Sequence, residues 1–287
     1  MLAPWLADPD AEKQLAAWSD VAGLDLVRLG TVAEAEEIKD TAVTQPLVVA
    51  AALLAAARLD VPSDVPVAGH SVGELAALAV AGVISPDAAV ALAAVRGREM
   101  AAACALEPTG MSAVLGGDPD AVLARLAELG LDPANRNGAG QIVAAGPVDA
   151  LAELAAGPPE RARVMPLPVA GAFHTRFMAL AQEALRRHAE GLTTGDPSRP
   201  LLSNADGALV TDGADALRRL VDQVTRPVRW DACMDALREL GVTATAELPP
   251  AGALTGLVKR ALKGTTTLAL KSPADLDAAH ELIGADR

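Results

Sequence analysis

Few residues in this chain can do chemistry, and their types and spacing are informative. Gly69-His70-Ser71-Val72-Gly73 is a G-x-S-x-G run. Such a run lets a serine sit on a sharp turn between a strand and a helix, its hydroxyl lifted above the strand ends and the flanking glycines giving the backbone room. The backbone N–H of Val72, at the helix start, then points to where an oxyanion would form. A serine nucleophile needs a base. His174 is the leading candidate, because both phenylalanines of the chain, Phe173 and Phe177, stand within three residues of it. His188 follows Arg186 and Arg187 on a polar helix face, and His280 lies near the C-terminus, so both read as solvated. His70 is inside the turn and is expected to pack. Arg96 is the third outlier. A helix opening at Pro86 aligns Ala89, Leu92, Ala93, Arg96 and Met100 on one face. A guanidinium on an apolar stripe must find an anion, since an unpaired buried charge costs several kcal/mol. Two partners stay open: Glu99 or a nearby helix C-terminus, or a substrate carboxylate held by the bidentate fork.

The elements that must position these groups alternate helix-period segments with short Val- and Leu-rich runs, the pattern of an α/β protein. DVPVAG (64–69) reads as a strand ending at the turn, and VGELAALAVAG (72–82) as the helix leaving it, stopped by Gly82. Pro46 followed by LVVAAALLAAAR reads as a buried helix with proline at its first position. Ser85 and Pro86 cap and open the next helix, which runs to about Ala103. From Gly110 the texture changes. GMSAVLGG, GQIVAAG and RARVMPLPV read as strands, separated by the helices DPDAVLARLAEL (capped by Asp118) and PVDALAELAA. Residues 109–169 are therefore expected to form a small inserted subdomain, with 1–108 and 170–287 making the large one. TATAEL and TTLAL are two more strand candidates in the helix-rich remainder.

Composition narrows the function. The net charge of −13 excludes broad nucleic-acid binding, which needs phosphate-neutralising cations. With 3 Trp, 2 Phe and no Tyr, a base-stacking surface is equally out of reach. Cys104 and Cys233 lie too far apart for a CxxC pair, and the histidines show no metal-ligand spacing, so no metal site is expected. Asp8, Asp10 and Glu12 interrupt any secretory signal, and the apolar run 47–57 is too short to span a bilayer. A soluble, cytoplasmic, monomeric protein that meets neither membrane nor nucleic acid is expected.

Taken together, several separated motifs are recognisable. GHSVGE (69–74), Arg96, NGAGQIVAAG (137–146), GAFHTRFM (171–178), QVTRPVRW (223–230) and LTGLVKRAL (254–262) resemble the malonyl-CoA:acyl carrier protein transacylases. The acyltransferase domains of modular polyketide synthases are the nearest confusable group. The resemblance implies an α/β-hydrolase-like large subdomain with a parallel sheet and an inserted ferredoxin-like small subdomain. It makes Ser71 the nucleophile and His174 its base, oriented by the backbone carbonyl of Gln223. Arg96 would grip the free malonyl carboxylate, Gln45 would line the pocket, and Asn137 falls in a matching loop. Phe173, in the triplet Ala172-Phe173-His174, would leave no room for a 2-methyl group. No cofactor is implied; the substrates would be malonyl-CoA and phosphopantetheinylated acyl carrier protein. That partner is itself acidic, so docking would need a local basic patch. Arg218, Arg219, Arg226 and Arg229 are one candidate, and Lys259, Arg260 and Lys263 another.

Two departures accompany the resemblance. The family begins with a strand and a G-Q-G-x-Q loop that donates a second oxyanion N–H, and no G-Q-G occurs in the 287 residues. Two readings stay open: the true start lies upstream, or the N-terminal strand and half the oxyanion hole are missing and transfer is impaired, since one such donor is worth about 10²–10³ in turnover. Second, ELPPAG (247–252) stands where the family has a Gly-Pro-Gly turn. Two other functions compete. A serine esterase or thioesterase on an α/β-hydrolase scaffold shares the G-x-S-x-G turn, but would carry its histidine near the C-terminus and leave Arg96 idle. An impaired carrier-protein-binding homologue has no use for an intact Ser71, His174 and Arg96.

Overall fold

The computed structural model describes residues 1–169 and 171–284; the expected boundary at residue 170 lies outside them. Four helices open the chain: α1 (Pro9–Ala22), α2 (Leu26–Thr31), α3 (Ala35–Ile38) and α4 (Thr41–Ala56). Helices α5 (Gly73–Val80) and α6 (Pro86–Cys104) follow. Helices α4, α5 and α6 bury their alanine, leucine and valine side chains in one common core. The close crossing of α4 and α6 depends on Gly97, where a Cβ would lie 2.6 Å from the Thr41 carbonyl oxygen.

Two expectations fail here. Helix α4 begins five residues before its proline, because the Asp40 carboxylate caps it by accepting from Ala42 N–H at 2.9 Å. Pro46 thus sits inside the helix, where its missing N–H forfeits one bond in exchange for a longer buried face. The run 64–69 is not a strand. Only Val67 pairs there, in a single parallel bridge to Leu201, and the Val65 N–H that would extend the ladder is taken by the Pro62 carbonyl instead. Among the described residues no larger parallel sheet forms around the site. The remaining pairings there are β5 (Leu201–Leu202) with β6 (Leu209–Val210), antiparallel, and β7 (Ala244–Glu247) with β8 (Thr266–Ala269), parallel.

Between α6 and these pairs lies a β-α-β-β-α-β unit. It runs β1 (Thr109–Gly116), α7 (Pro119–Glu128), β2 (Asp132–Gly138), β3 (Gln141–Pro147), α8 (Val148–Ala156) and β4 (Ala162–Pro166). The sheet is antiparallel with order β2-β3-β1-β4. Strand periodicity divides its faces. Val114, Ile142 and Ala144 pack under α7 and α8, while Met111, Val143 and Ala145 face Ala172. The second face therefore supports the loop that carries His174. Strand β2, sequence DPANRNG, has no apolar alternation to announce it, and its pairing with β3 shifts register twice. Its outer edge bonds to Val228, tying this unit to the segment after Gln223.

The chain completes the large part with α9 (Ala179–Ala189), α10 (Gly213–Asp222), α11 (Trp230–Glu239), α12 (Ala253–Ala261) and α13 (Leu276–Gly284). Where the family has its Gly-Pro-Gly turn, Glu247 serves as the head cap of α12. Its carboxylate accepts from the N–H groups of Gly252, Leu254 and Thr255 at 2.7–2.9 Å. Among the described residues no helix is long and apolar enough to cross a membrane.

Candidate active site

The turn before α5 holds Ser71 at a φ of 54°, a left-handed conformation that a residue with a Cβ rarely adopts. Gly69 makes the turn possible, because a Cβ there would fall 2.0 Å from the Gly73 carbonyl carbon. Gly73 is different: a Cβ there would meet open space, so sterics explain only the first of the two glycines. Asn204 staples the strained turn from outside. Its Oδ1 accepts from Ser71 N–H at 2.8 Å and its Nδ2 donates to the Gly69 carbonyl at 2.7 Å. With the Ser71 N–H committed to Asn204, the Val72 N–H heads α5 beside the serine.

Ser71 Oγ lies 2.7 Å from His174 Nε2. On the far side of the ring, His174 Nδ1 lies 2.8 Å from the Gln223 carbonyl oxygen. A carbonyl can only accept, so Nδ1 carries the proton and Nε2 offers its lone pair to the serine hydroxyl. Burial pushes the His174 pKa down to about 3, and the positive charge of Arg96 adds to the effect. The imidazole is therefore neutral near pH 7. His174 also sits at a positive φ, 62°. Bonds from Ala172 N–H to Thr109 Oγ1 and from Thr175 Oγ1 to the Ala172 carbonyl hold that loop.

Arg96 reaches the same point from α6 and is only 2% exposed. Its Nη1 donates to Gln45 Oε1 at 2.6 Å, and its Nη2 donates to Gln223 Oε1 at 3.1 Å and to Ser71 Oγ at 3.2 Å. Glu99 is not its partner, being paired with Arg98 on the outer side of the helix. Burial lowers the Arg96 pKa to about 10, which leaves the group charged. A buried cation whose hydrogen bonds go only to amide oxygens and a hydroxyl, with the Glu74 carboxylate near but not bonded to it, is a site prepared for an anion.

Ser71, His174, Arg96, Gln45 and Gln223 thus converge, with Val72 beside them. Asn137 does not reach the serine. Its Oδ1 lies 2.9 Å from His70 Nε2, and His70 packs edge-on against Trp230 with ring centroids 5.5 Å apart. His188 and His280 bond to the backbone carbonyls of Ala184 and Arg58, away from the site. Two residues of the network went unread in the sequence, Asn204 and Glu74. Glu74 closes the GHSVGE motif and is the one carboxylate in an otherwise apolar α5, a signal that could have flagged it. Asn204 sits in the ordinary-looking turn LLSNADG and gave no comparable signal. Burial raises the Glu74 pKa to about 7. Beside His174 a cavity of about 430 Å³ opens, its wall including Thr175, Arg176, Arg226 and Pro227.

Residues 10–280 match the acyl transferase domain family. The chain belongs to that family. This acyl transferase is 59% identical over 290 residues to the malonyl CoA-acyl carrier protein transacylase of Mycolicibacterium smegmatis, a match covering 98% of this chain and 100% of that protein. It superposes on the crystal structure of MCAT from Mycobacterium tuberculosis with a TM-score of 0.94 at 60% identity, covering 97% and 94% of the two chains. A malonyl-transacylase solved in complex with its holo type II PKS acyl-carrier protein is similar too. There the TM-score is 0.90 at 32% identity, over 98% of this chain and 94% of that one. Membership of this family does not favour the esterase or the non-catalytic binding protein.

Proposed function

We propose that this acyl transferase carries the malonyl group from malonyl-CoA to the phosphopantetheine thiol of acyl carrier protein, through a malonyl ester on Ser71. The observation that carries the reading is the meeting of Ser71 Oγ with both His174 Nε2, at 2.7 Å, and Arg96 Nη2, at 3.2 Å. A base and a carboxylate receptor on one hydroxyl suit an acyl group with a free carboxylate at its far end.

His174 Nε2 takes the Ser71 proton as Oγ bonds to the thioester carbonyl carbon. The Val72 N–H faces the oxyanion that forms. When the C–S bond breaks, the histidine returns its proton to the departing coenzyme A sulfur. The carrier thiol then gives its proton to His174 and attacks the ester, and Ser71 recovers its hydrogen as the acyl group leaves. No cofactor takes part. Arg96 acts twice. It positions the malonyl carboxylate, and its charge, once paired with that carboxylate, no longer suppresses protonation of His174.

In this reading, taken from the resemblance, Phe173 excludes a 2-methyl group; in the structure it packs against the sheet face of 109–166. The strand order of 109–166 supports a ferredoxin-like small subdomain (109–169); that the large one around it (1–108 and 170–287) is α/β-hydrolase-like rests on the resemblance alone. The work is that of cytoplasmic fatty acid synthesis, with a polyketide pathway as the alternative setting. Incubation with malonyl-CoA followed by intact mass analysis tests the reading. A malonyl adduct on Ser71 that discharges to holo carrier protein is expected, and an enzyme that only hydrolyses the thioester would overturn it.

A further inference from the structure

Glu74 has no part in the transfer steps, yet it is the one carboxylate among the buried polar residues described. Its two oxygens both accept. Oε1 takes the Asn204 N–H at 2.6 Å, and Oε2 takes the side-chain amide of Gln223. That same Gln223 NH2 also faces Asn204 Oδ1 at 3.0 Å and the Ser71 carbonyl at 3.4 Å. Three oxygens around one NH2 fix which way the amide points. Its Oε1 is left to face Arg96 Nη2. A flipped amide would press Oε1 against those oxygens and turn an NH2 on the guanidinium.

Building on the malonyl-transfer reading, we propose that Glu74 is a positioning residue for acyl selectivity: through Gln223 it holds Arg96 aimed at the acyl carboxylate. The charged and titratable groups facing it are Arg96 from α6, Arg219 from α10 and the Cys233 thiol from α11. The thiol is pushed up to about 12 and stays neutral. Among the described residues the carboxylate oxygens meet only donors, the Asn204 N–H and the Gln223 amide, so the ionised form fits the network and the protonated form does not. Burial pushes Glu74 up to about 7, which brings its protonation within reach of mildly acidic buffer. His174, held near 3, does not titrate there.

The test is competitive loading of Ser71 by malonyl-CoA and acetyl-CoA, read by intact mass, beside thermal melting. Glu74→Gln offers one acceptor oxygen to two donors, and is expected to lower the malonyl-to-acetyl loading ratio about tenfold, mainly through KM for malonyl-CoA. Glu74→Asp keeps two acceptor oxygens and should recover part of the ratio. In the unmodified protein the ratio should fall as pH drops from about 8 to about 6. A folded Glu74→Gln protein that keeps the ratio, or that loses both acyl groups equally, overturns the proposal. Should that variant not fold, a ratio in the unmodified protein that stays flat over the same pH range overturns it. Failure of the unmodified protein to acquire any malonyl adduct would instead overturn the transfer reading.

Discussion

Arg96 and His174 are coupled by charge, and the coupling has a sign that can be measured. Each disfavours a positive charge on the other, and Arg96 is a named cause of the depressed His174 pKa. Arg96→Ala should therefore raise the His174 pKa, followed by its imidazole proton shifts, while the preference for malonyl over acetyl falls about a hundredfold. An unaltered preference would contradict the role given to Arg96. The depressed pKa also bears on stability. His174 titrates near 3 folded but near 6.5 unfolded, so the unfolded chain binds more protons between those values. Its contribution is present above about 6.5 and is lost as pH falls toward 3. Glu74 works oppositely: raised to about 7, it favours the folded state at low pH and loses that stability as pH rises from 4.5 to 7. Between about 4.5 and 6.5 the two oppose each other. Replacing His174 by Gln should remove the acid-labile part, so denaturation midpoints of variant and parent should converge as pH is lowered from about 6.5 toward 3. A constant offset across pH would show that His174 stays protonatable in the fold.

At the scale of elements, the site depends on helices that cross where side chains are absent. Gly97 on α6 lies one residue from Arg96 and lets the first turn of α4, which leads to Gln45, come within contact. Gly97→Ala should cost about 1–3 kcal/mol in chemical denaturation, by overpacking against backbone that cannot swing aside. It should also raise KM for malonyl-CoA, since Gln45 and Arg96 are drawn apart; an unchanged melting curve and KM would show the crossing to be looser than it looks. The legible elements were those with local markers. Ser85 and Pro86 announced α6, Asp118 announced α7, and Gly82 ended the run through α5. Strand β2 stayed hidden because DPANRNG gets its strand geometry from partners, β3 on one side and Val228 on the other. The valines of 64–69 suit a strand, but a turn back to Pro62 takes the Val65 N–H and leaves only one bridge. The same divide separates the site residues. Ser71, His174 and Arg96 stand out by type against their surroundings. Asn204 acts through bonds to Ser71 and Gly69, more than 130 positions away in sequence, and no local pattern encodes such a partnership.

For the whole molecule the question is how a chain of net charge −13 receives an acidic carrier. Its two basic candidates are not equivalent. Arg218, Arg219 and Arg229 are occupied by Asp215, Asp222, Asp206 and Asp231, so most of that cluster is neutralised where it stands. Lys259 and Arg260, in the last turn of α12, and the nearby Lys263 are exposed and carry no ion pair among the described residues. Helix α12 packs near β2, the strand whose end holds Asn137 beside the serine turn. A carrier seated on those cations would therefore stand on the side of the molecule that bears the site. Reversing the three charges to Glu should lower kcat/KM for the carrier about tenfold at low ionic strength, with a smaller effect on loading from malonyl-CoA. The difference should shrink as salt rises, because exposed charges more than about 8–10 Å apart are largely screened at 0.1–0.15 M. Reversal of Arg218 and Arg219, by contrast, should register mainly as lost stability of α10. A transfer rate in the parent enzyme that ignores ionic strength would rule out a charged docking face on α12.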